Sequence, residues 1–500
     1  MLMEPYRIKV VEPITLTDRP EREKFMAAAG YNPFNLRAEQ VMIDLLTDSG
    51  TGALSAAQQA AGMGGDETYA GSPSFYRFRA EVEDLTSYPH IFPVHQGRAA
   101  ERILFGTLLR PGQISLSNTH FDTTRANVEL LGCEARDIPC EEAGDIRSDH
   151  PFKGNIDLAQ LEAFLRWGNV GQVIMTVTNN GGGGQPVSID NIRRAGEICR
   201  AHGIPFFLDA ARFAENAWLV SQNEPEFAGL SPRTVAREMF ALADGCVASL
   251  KKDGIVHMGG VIALRDAGLA ARCEQALIAG EGFSTYGGLS GRDLDMLAQG
   301  LREGTDAAYL RGRAAATAHL AGLLTDAGVP VVRPPGVHAV YIDAGAVLPH
   351  LPAELFPAHS FATELYLEGG VRAVEIGSLM CGSVDEHGVL TKAAPRELVR
   401  LALPRRVYTQ SHLEYVAETA ASVMKRVDEL PGYRLVDSPK VLRHFKCRLE
   451  PVERSFRSGG LVGQADREPL AGFVDVHRDG FADAVDGSAP REGKPYSPVS

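Results

Sequence analysis

Between about residues 90 and 270, short apolar runs alternate with amphipathic stretches, and no other feature of this chain restricts its fold so strongly. Ile91-Phe92-Pro93-Val94 leads into a helical pattern over 98–109. Residues 172–178 read as a buried strand and 189–202 as an amphipathic helix, while 205–208 and 245–248 read as further short strands. Strands separated by helices indicate an α/β domain with a mainly parallel sheet. Ligands of such sheets bind beyond the carboxyl ends of the strands.

Two of the runs end in reactive residues. Phe206-Phe207-Leu208-Asp209-Ala210-Ala211-Arg212 closes on an acid, with a guanidinium three positions later. Ala248-Ser249-Leu250-Lys251-Lys252-Asp253 places a hydroxyl three residues before a lysine. An acid at one strand end and a lysine at another suit pyridoxal phosphate: Asp209 would pair with the pyridinium nitrogen, and the Lys252 amine would form the Schiff base. Two adjacent ammonium groups repel, and partial burial would push one toward the free amine this chemistry needs. Ser249 can donate to a phosphate oxygen, and Arg212 can reach the phenolate oxygen. His95-Gln96-Gly97-Arg98 sits at a strand-to-helix junction, where exposed N–H groups and the helix dipole favour a phosphate. The run Gly181-Gly182-Gly183-Gly184 fails the spacing of a dinucleotide fingerprint and reads as a loop that lets a ring approach the backbone.

Composition narrows the classes further. A net charge of -13 disfavours nucleic acid or an anionic membrane as partner, and 44% hydrophobic with 23% charged residues suits a large globular core. No apolar stretch is long enough to span a bilayer, and the amino terminus lacks the apolar core of a signal peptide. Seven scattered cysteines without CxxC spacing fit reduced thiols, and a cytoplasmic location is expected. The expected organisation is an arm over 1–48 that also forms part of the small domain, a large cofactor domain over 49–329, a smaller α/β domain over 330–454, and an extension over 455–500. In the smaller domain, strands are expected at 330–332 and 338–343, with a long helix over 411–430. The extension has weak periodicity and is expected to be mobile or partner-bound.

Several segments, in order, resemble the β-eliminating lyases over nearly the whole chain to about residue 450. They include Thr47-Asp48-Ser49-Gly50-Thr51-Gly52, Gly65-Asp66-Glu67-Thr68-Tyr69, His95-Gln96-Gly97-Arg98, Phe121-Asp122-Thr123-Thr124, Ala211-Arg212-Phe213-Ala214-Glu215-Asn216, Lys251-Lys252-Asp253 and Tyr286-Gly287-Gly288-Leu289. The resemblance implies a fold-type-I pyridoxal-phosphate enzyme with Lys252 as the Schiff-base lysine, Asp209 facing the ring nitrogen and Arg212 near the phenolate oxygen. It implies that Phe121 stacks on the ring, and that Gln96, Gly97, Arg98 and Ser249 hold the phosphate. Arg400 would anchor the substrate carboxylate, assisted by Asn180 and Thr47. Tyr69 would be an acid or part of a proton relay, reaching in from a neighbouring subunit. A potassium-like cation would be held by Glu67 and the carbonyls of Gly50 and His257, although the family usually carries another residue at His257. A homotetramer is implied as well.

Within the family, one branch acts on tyrosine and carries an arginine against the phenol, in a Met-Glu-Arg-Gly context. This chain reads Val374-Glu375-Ile376-Gly377 there, Asp122 after the stacking Phe121, and Leu442-Arg443-His444-Phe445 near the end. These three differences side with the branch acting on tryptophan. Apolar Ile376 suits a bicyclic aromatic, and Asp122 and His444 could bond to each other and orient the indole. The implied reaction is elimination of tryptophan to indole, pyruvate and ammonia, with elimination from tyrosine or another aromatic amino acid as the alternative. A cofactor-binding protein without turnover is the more distant one. Met380-Cys381-Gly382-Ser383-Val384-Asp385 is shorter than the family's arginine-containing loop, so closure or specificity there is expected to differ.

Overall fold

The computed structural model describes residues 3–385, 387–439 and 441–452, all within one compact unit. The expectation for 455–500 lies outside the described residues. Seven strands form the large sheet: β1 (His90–Val94), β2 (Ile114–Ser117), β3 (Glu134–Asp137), β4 (Val170–Thr176), β5 (Phe206–Asp209), β6 (Gly245–Ser249) and β7 (Gly260–Leu264). Their order is β1-β7-β6-β5-β4-β2-β3, and only β7 pairs antiparallel to its neighbours.

Helices cover both faces of this sheet, which is why β5 is an unbroken apolar run rather than an alternating one. Phe206 and Leu208 join a core cluster with Ile192 and Phe240, whereas Phe207 turns the other way, toward Ile103 and Leu277. Among these helices are α1 (Gly97–Leu108), α2 (Asp122–Glu129) and α3 (Ile189–Ala201). In α3 the buried stripe Ile189, Ile192, Ala195, Gly196 and Cys199 follows helical spacing, and Ser188 caps its start by accepting from the Asn191 amide.

A second sheet of three antiparallel strands joins β8 (Ala339–Asp343), β9 (Val374–Ile376) and β10 (Leu398–Ala402), with β10 in the middle. Its register sets Arg400 of β10 between Val374 and Tyr341. Helices α4 (Pro357–Gly369) and α5 (Gln410–Met424) pack on it through Phe361, Leu365 and Val416. The structure corrects two sequence expectations in this region. Residues 330–332 form only an isolated bridge, Val331 to Ile342, since Pro330 offers no N–H to a ladder. The expected helix over 411–430 begins one residue earlier and stops at Met424. A short 3-10 turn, Val427–Glu429, comes next, and Pro431 disfavours helical geometry in the residue before it.

Candidate active site

At the carboxyl edge of the large sheet, β1, β5 and β6 end at Val94, Asp209 and Ser249, and a cavity of about 290 Å³ opens beyond them. It is lined by Gln96, Gly97, Arg98, Phe121, Asp122, Thr47, Asn180, Asp209, Arg212, Ser249, Lys252, Arg400 and His444. All of these were singled out from sequence, and they come from loops throughout the chain.

One end of the cavity is a cradle for an anion. Gln96 is the N-cap of α1 and its side chain makes no cap hydrogen bond, so the amides of Gly97 and Arg98 lack an intrahelical acceptor. A Cβ on Gly97 would lie 2.7 Å from that of Ser249, and a Cβ on Gly260 would lie 2.7 Å from the Gln96 carbonyl carbon. Glycine is therefore what lets the helix start close down on the β6 hydroxyl. Arg98 stands nearby, and Lys251 also lines the cavity; burial first, and then the Arg98 charge, lower the Lys251 pKa. A helix amino terminus, a hydroxyl and two cations form a donor set that fits a phosphate dianion.

Deeper in, Lys252 lies close to Asp209. Burial, helped by the Arg212 cation, brings the Lys252 amine down to about 8. Burial also raises the Asp209 carboxyl, against the pull of Lys252. A buried carboxylate of this kind is stabilised by a cation placed against it, which a protonated pyridine would be. Arg212 is not free to swing: its Nε and Nη2 donate to the two oxygens of Asp48 at 3.0 and 2.6 Å. Asp48 is buried, and although its own burial opposes this, Arg212 and Arg405 hold its carboxyl well below the usual range.

Arg400 donates from Nη1 to Asn180 Oδ1 and from Nη2 to the Leu46 carbonyl, both at 3.1 Å. Asn180 Oδ1 also accepts from the Tyr341 hydroxyl at 2.6 Å. With its oxygen taken, the amide of Asn180 keeps its N–H groups for a ligand. The Arg400 Nε and the Thr178 hydroxyl are buried without a partner among the described residues, which suits a polar ligand in the cavity. His444 Nε2 and Asp122 Oδ2 lie 3.1 Å apart, within ion-pair distance but not aligned as a hydrogen bond. The His444 ring packs against Phe445 and Phe34, with centroids at 4.1 and 5.8 Å.

The remaining sequence candidates lie elsewhere. Ile376 sits in a buried cluster with Tyr341 and Leu398 and is not on the cavity wall; Val374 of the same strand and Met380 are. Tyr69 is 68% exposed, stacks on Phe283 and meets Tyr286 at a tilt, away from the cavity lining. Glu67 is paired with Arg292 at 2.9 Å on the surface. Gly50 and His257 do come together: a Cβ on Gly50 would lie 3.0 Å from the His257 carbonyl oxygen. Among the described residues there is no cluster of three or more His, Cys, Asp or Glu side chains placed to hold a metal ion.

Sequence reasoning misses Glu101, Lys251 and Asp48. Asp48 stands inside a matching motif without a role, Lys251 reads only as a neighbour of Lys252, and nothing local marks Glu101.

A strand-end acid and lysine, a phosphate cradle on a helix start and a mainly parallel seven-stranded sheet define a fold-type-I pyridoxal-phosphate enzyme, and the donor set fits that cofactor. Solved structures with the same fold include a serine palmitoyltransferase from Sphingomonas wittichii, with TM-score 0.55, 14% identity and coverage of 82% of this chain and 97% of that one. Residues 44–419 match the β-eliminating lyase family, to which the chain belongs. It is 52% identical to a tryptophanase of Hyphomonas neptunium, over 90% of this chain and 99% of that one. It is 51% identical to a tryptophanase of Rhodobacter capsulatus, with the same two coverages, 90% and 99%. A tyrosine phenol-lyase of Nostoc punctiforme is 44% identical, over 89% of this chain and 96% of its own.

Proposed function

We propose that this chain is a carbon–carbon lyase that converts L-tryptophan and water to indole, pyruvate and ammonia with bound pyridoxal phosphate. The observation that carries this reading is the Asp122–His444 pair, 3.1 Å apart in the same cavity as Lys252 and Arg400. It supplies polar groups for an indole N–H, and the arginines among the described lining residues are Arg98, Arg212 and Arg400, each with another proposed role.

Lys252 would hold the cofactor through its aldehyde, Asp209 would face the ring nitrogen, Phe121 the ring face, and Gln96, Gly97, Arg98 and Ser249 the phosphate. Arg212, locked by Asp48, would stand by the phenolate oxygen. Once bound, the cofactor supplies an electron sink for the negative charge that develops at the substrate Cα. Arg400 would fork onto the substrate carboxylate, with Asn180 and Thr47 beside it. The Lys252 amine, already lowered to about 8, is matched to taking the Cα proton near neutral pH. Ile376 would act from behind, supporting the apolar wall that Val374 and Met380 present.

Indole leaves only after its C3 is protonated. Tyr69 is the proposed acid or relay, contributed to a neighbouring subunit's cavity within a homotetramer; its high exposure and its distance from its own chain's cavity lining support that. A potassium ion between Gly50, His257 and Glu67 would belong to the same assembled state. No described helix is long and apolar enough to cross a membrane. A cytoplasmic location, and a division into an arm (1–48), a large domain (49–329) and a small domain (330–454), complete the reading.

The test is direct. Purified protein with pyridoxal phosphate and tryptophan should release indole and pyruvate in equal amounts, and Lys252→Ala should abolish both. Phenol from tyrosine in place of indole would move the assignment to the sister activity. Keto-acid exchange without indole would overturn elimination altogether.

A further inference from the structure

Glu101 is a buried carboxylate on the cavity wall with no part in the proposed reaction. It lies one turn into α1, the helix whose start forms the phosphate cradle. Both its oxygens are used by the next helix: Oε1 accepts from the Thr124 hydroxyl at 2.5 Å and Oε2 from Asn127 Nδ2 at 3.0 Å. Thr124 and Asn127 are three residues apart and share one face of α2. Asn127 Nδ2 also reaches the Arg98 carbonyl at 3.5 Å. The opening of α2 carries Phe121, its N-cap, and Asp122, its first residue.

This contact is costly to keep. Burial, and then the Asp209 charge, push the Glu101 carboxyl up to about 7, and among the described residues its hydrogen-bond partners are the neutral Thr124 and Asn127. An apolar pair could join two helices at lower cost. What a carboxylate with two donors adds is a defined rotation and height of α2 against α1, because hydrogen bonds are directional where apolar packing is not.

We propose that Glu101 is a positioning residue that fixes α2 against the phosphate helix, and so aims Asp122 at His444 and the leaving indole. This rests on the lyase reading of the site. The phosphate cradle is set by the close approach of Gly97 to Ser249 and of Gly260 to Gln96, contacts that do not pass through Glu101. The aromatic end depends on the link.

The experiment compares tryptophan with S-methylcysteine, whose small leaving group makes no demand on Asp122 or His444. In Glu101→Ala, kcat/KM for tryptophan should fall by about 30-fold, and for S-methylcysteine by no more than about threefold. Indole binding to the holoenzyme, measured by calorimetry, should weaken about tenfold. Glu101→Gln keeps an acceptor for Thr124 and should recover most of the selectivity. Thr124→Val removes the donor from the other side with little change of volume, and should shift the same ratio by several-fold. It decides the matter if Glu101→Ala does not fold. Equal losses on both substrates, or an unchanged ratio in Thr124→Val, would overturn the proposal while leaving the lyase assignment intact. Absence of indole release by the unmodified enzyme would overturn both.

Discussion

Lys252, Asp209 and Arg212 lie at the sheet edge with every charge answered from within the same chain, whereas Tyr69 and Glu67 stand on the surface, with 68% of Tyr69 exposed. Arg212 is held by Asp48, and Asp48 shares Arg405 with Glu215 and Asp253, all of them buried. Glu67 has one exposed arginine as its partner. The half proposed to hold the cofactor thus has its buried charges matched within the described chain. The other half supplies groups whose proposed task lies in another chain's cavity. Charges taken out of water must be matched in place, while groups destined for a neighbour stay solvated until it arrives.

The sharpest way to break this contrast is to remove the amine at its centre. Lys252→Ala should lower indole release at least about ten-thousand-fold, since anchor and base go together. Next is the lock on Arg212. Asp48→Asn leaves buried guanidinium groups without their carboxylate and should cost about 3–5 kcal/mol in denaturant unfolding of the cofactor-free protein. On the exposed side, Tyr69→Phe should lower kcat about a hundredfold while leaving the unfolding midpoint unchanged. Mixing Tyr69→Phe chains with inactive Arg400→Lys chains, followed by reassociation, should restore part of the activity. No recovery would place Tyr69 in its own chain's cavity.

The smallest effect concerns Glu375, which sits behind the wall formed by Val374 and Met380. It accepts from the Gly377 amide at 2.6 Å, and burial followed by the nearby Glu397 charge pushes its carboxyl up to about 8. The folded state therefore holds this proton more tightly than the unfolded chain does. Its contribution to stability is full below about pH 4.5 and is lost as pH rises to about 8. Glu375→Gln should flatten that part of the stability profile and raise the unfolding midpoint at pH 8, as read by thermal melts across pH. A profile of unchanged slope would show that Glu375 is ionised throughout.

Much of this was legible in one dimension. Asp209 and Ser249 end their strands and Lys252 comes three residues after the second, as the apolar runs ahead of them indicate, because a strand buried on both faces must be apolar until it emerges. The helix start at Gln96-Gly97 was legible for a similar local reason. Ile376 shows where such reading ends. Its identity distinguishes it from an arginine, yet the register of β9 against β10 sets it in the core and gives Val374 to the cavity. Tyr69 and Glu67 could be matched by motif, but their exposure belongs to the folded surface.

What the sequence alone determined is therefore the sheet, its reactive edge and the chemistry of that edge, all of which depend on periodicity and on residues close to one another along the chain. Tertiary structure alone decided which buried polar groups meet where no motif paired them: Asp48 with Arg212 across 164 positions, and Glu101 with Thr124 across 23. The reason is physical. A buried polar group needs a partner within about 3 Å, and which partner arrives is set by how helices and strands pack, not by spacing in the chain.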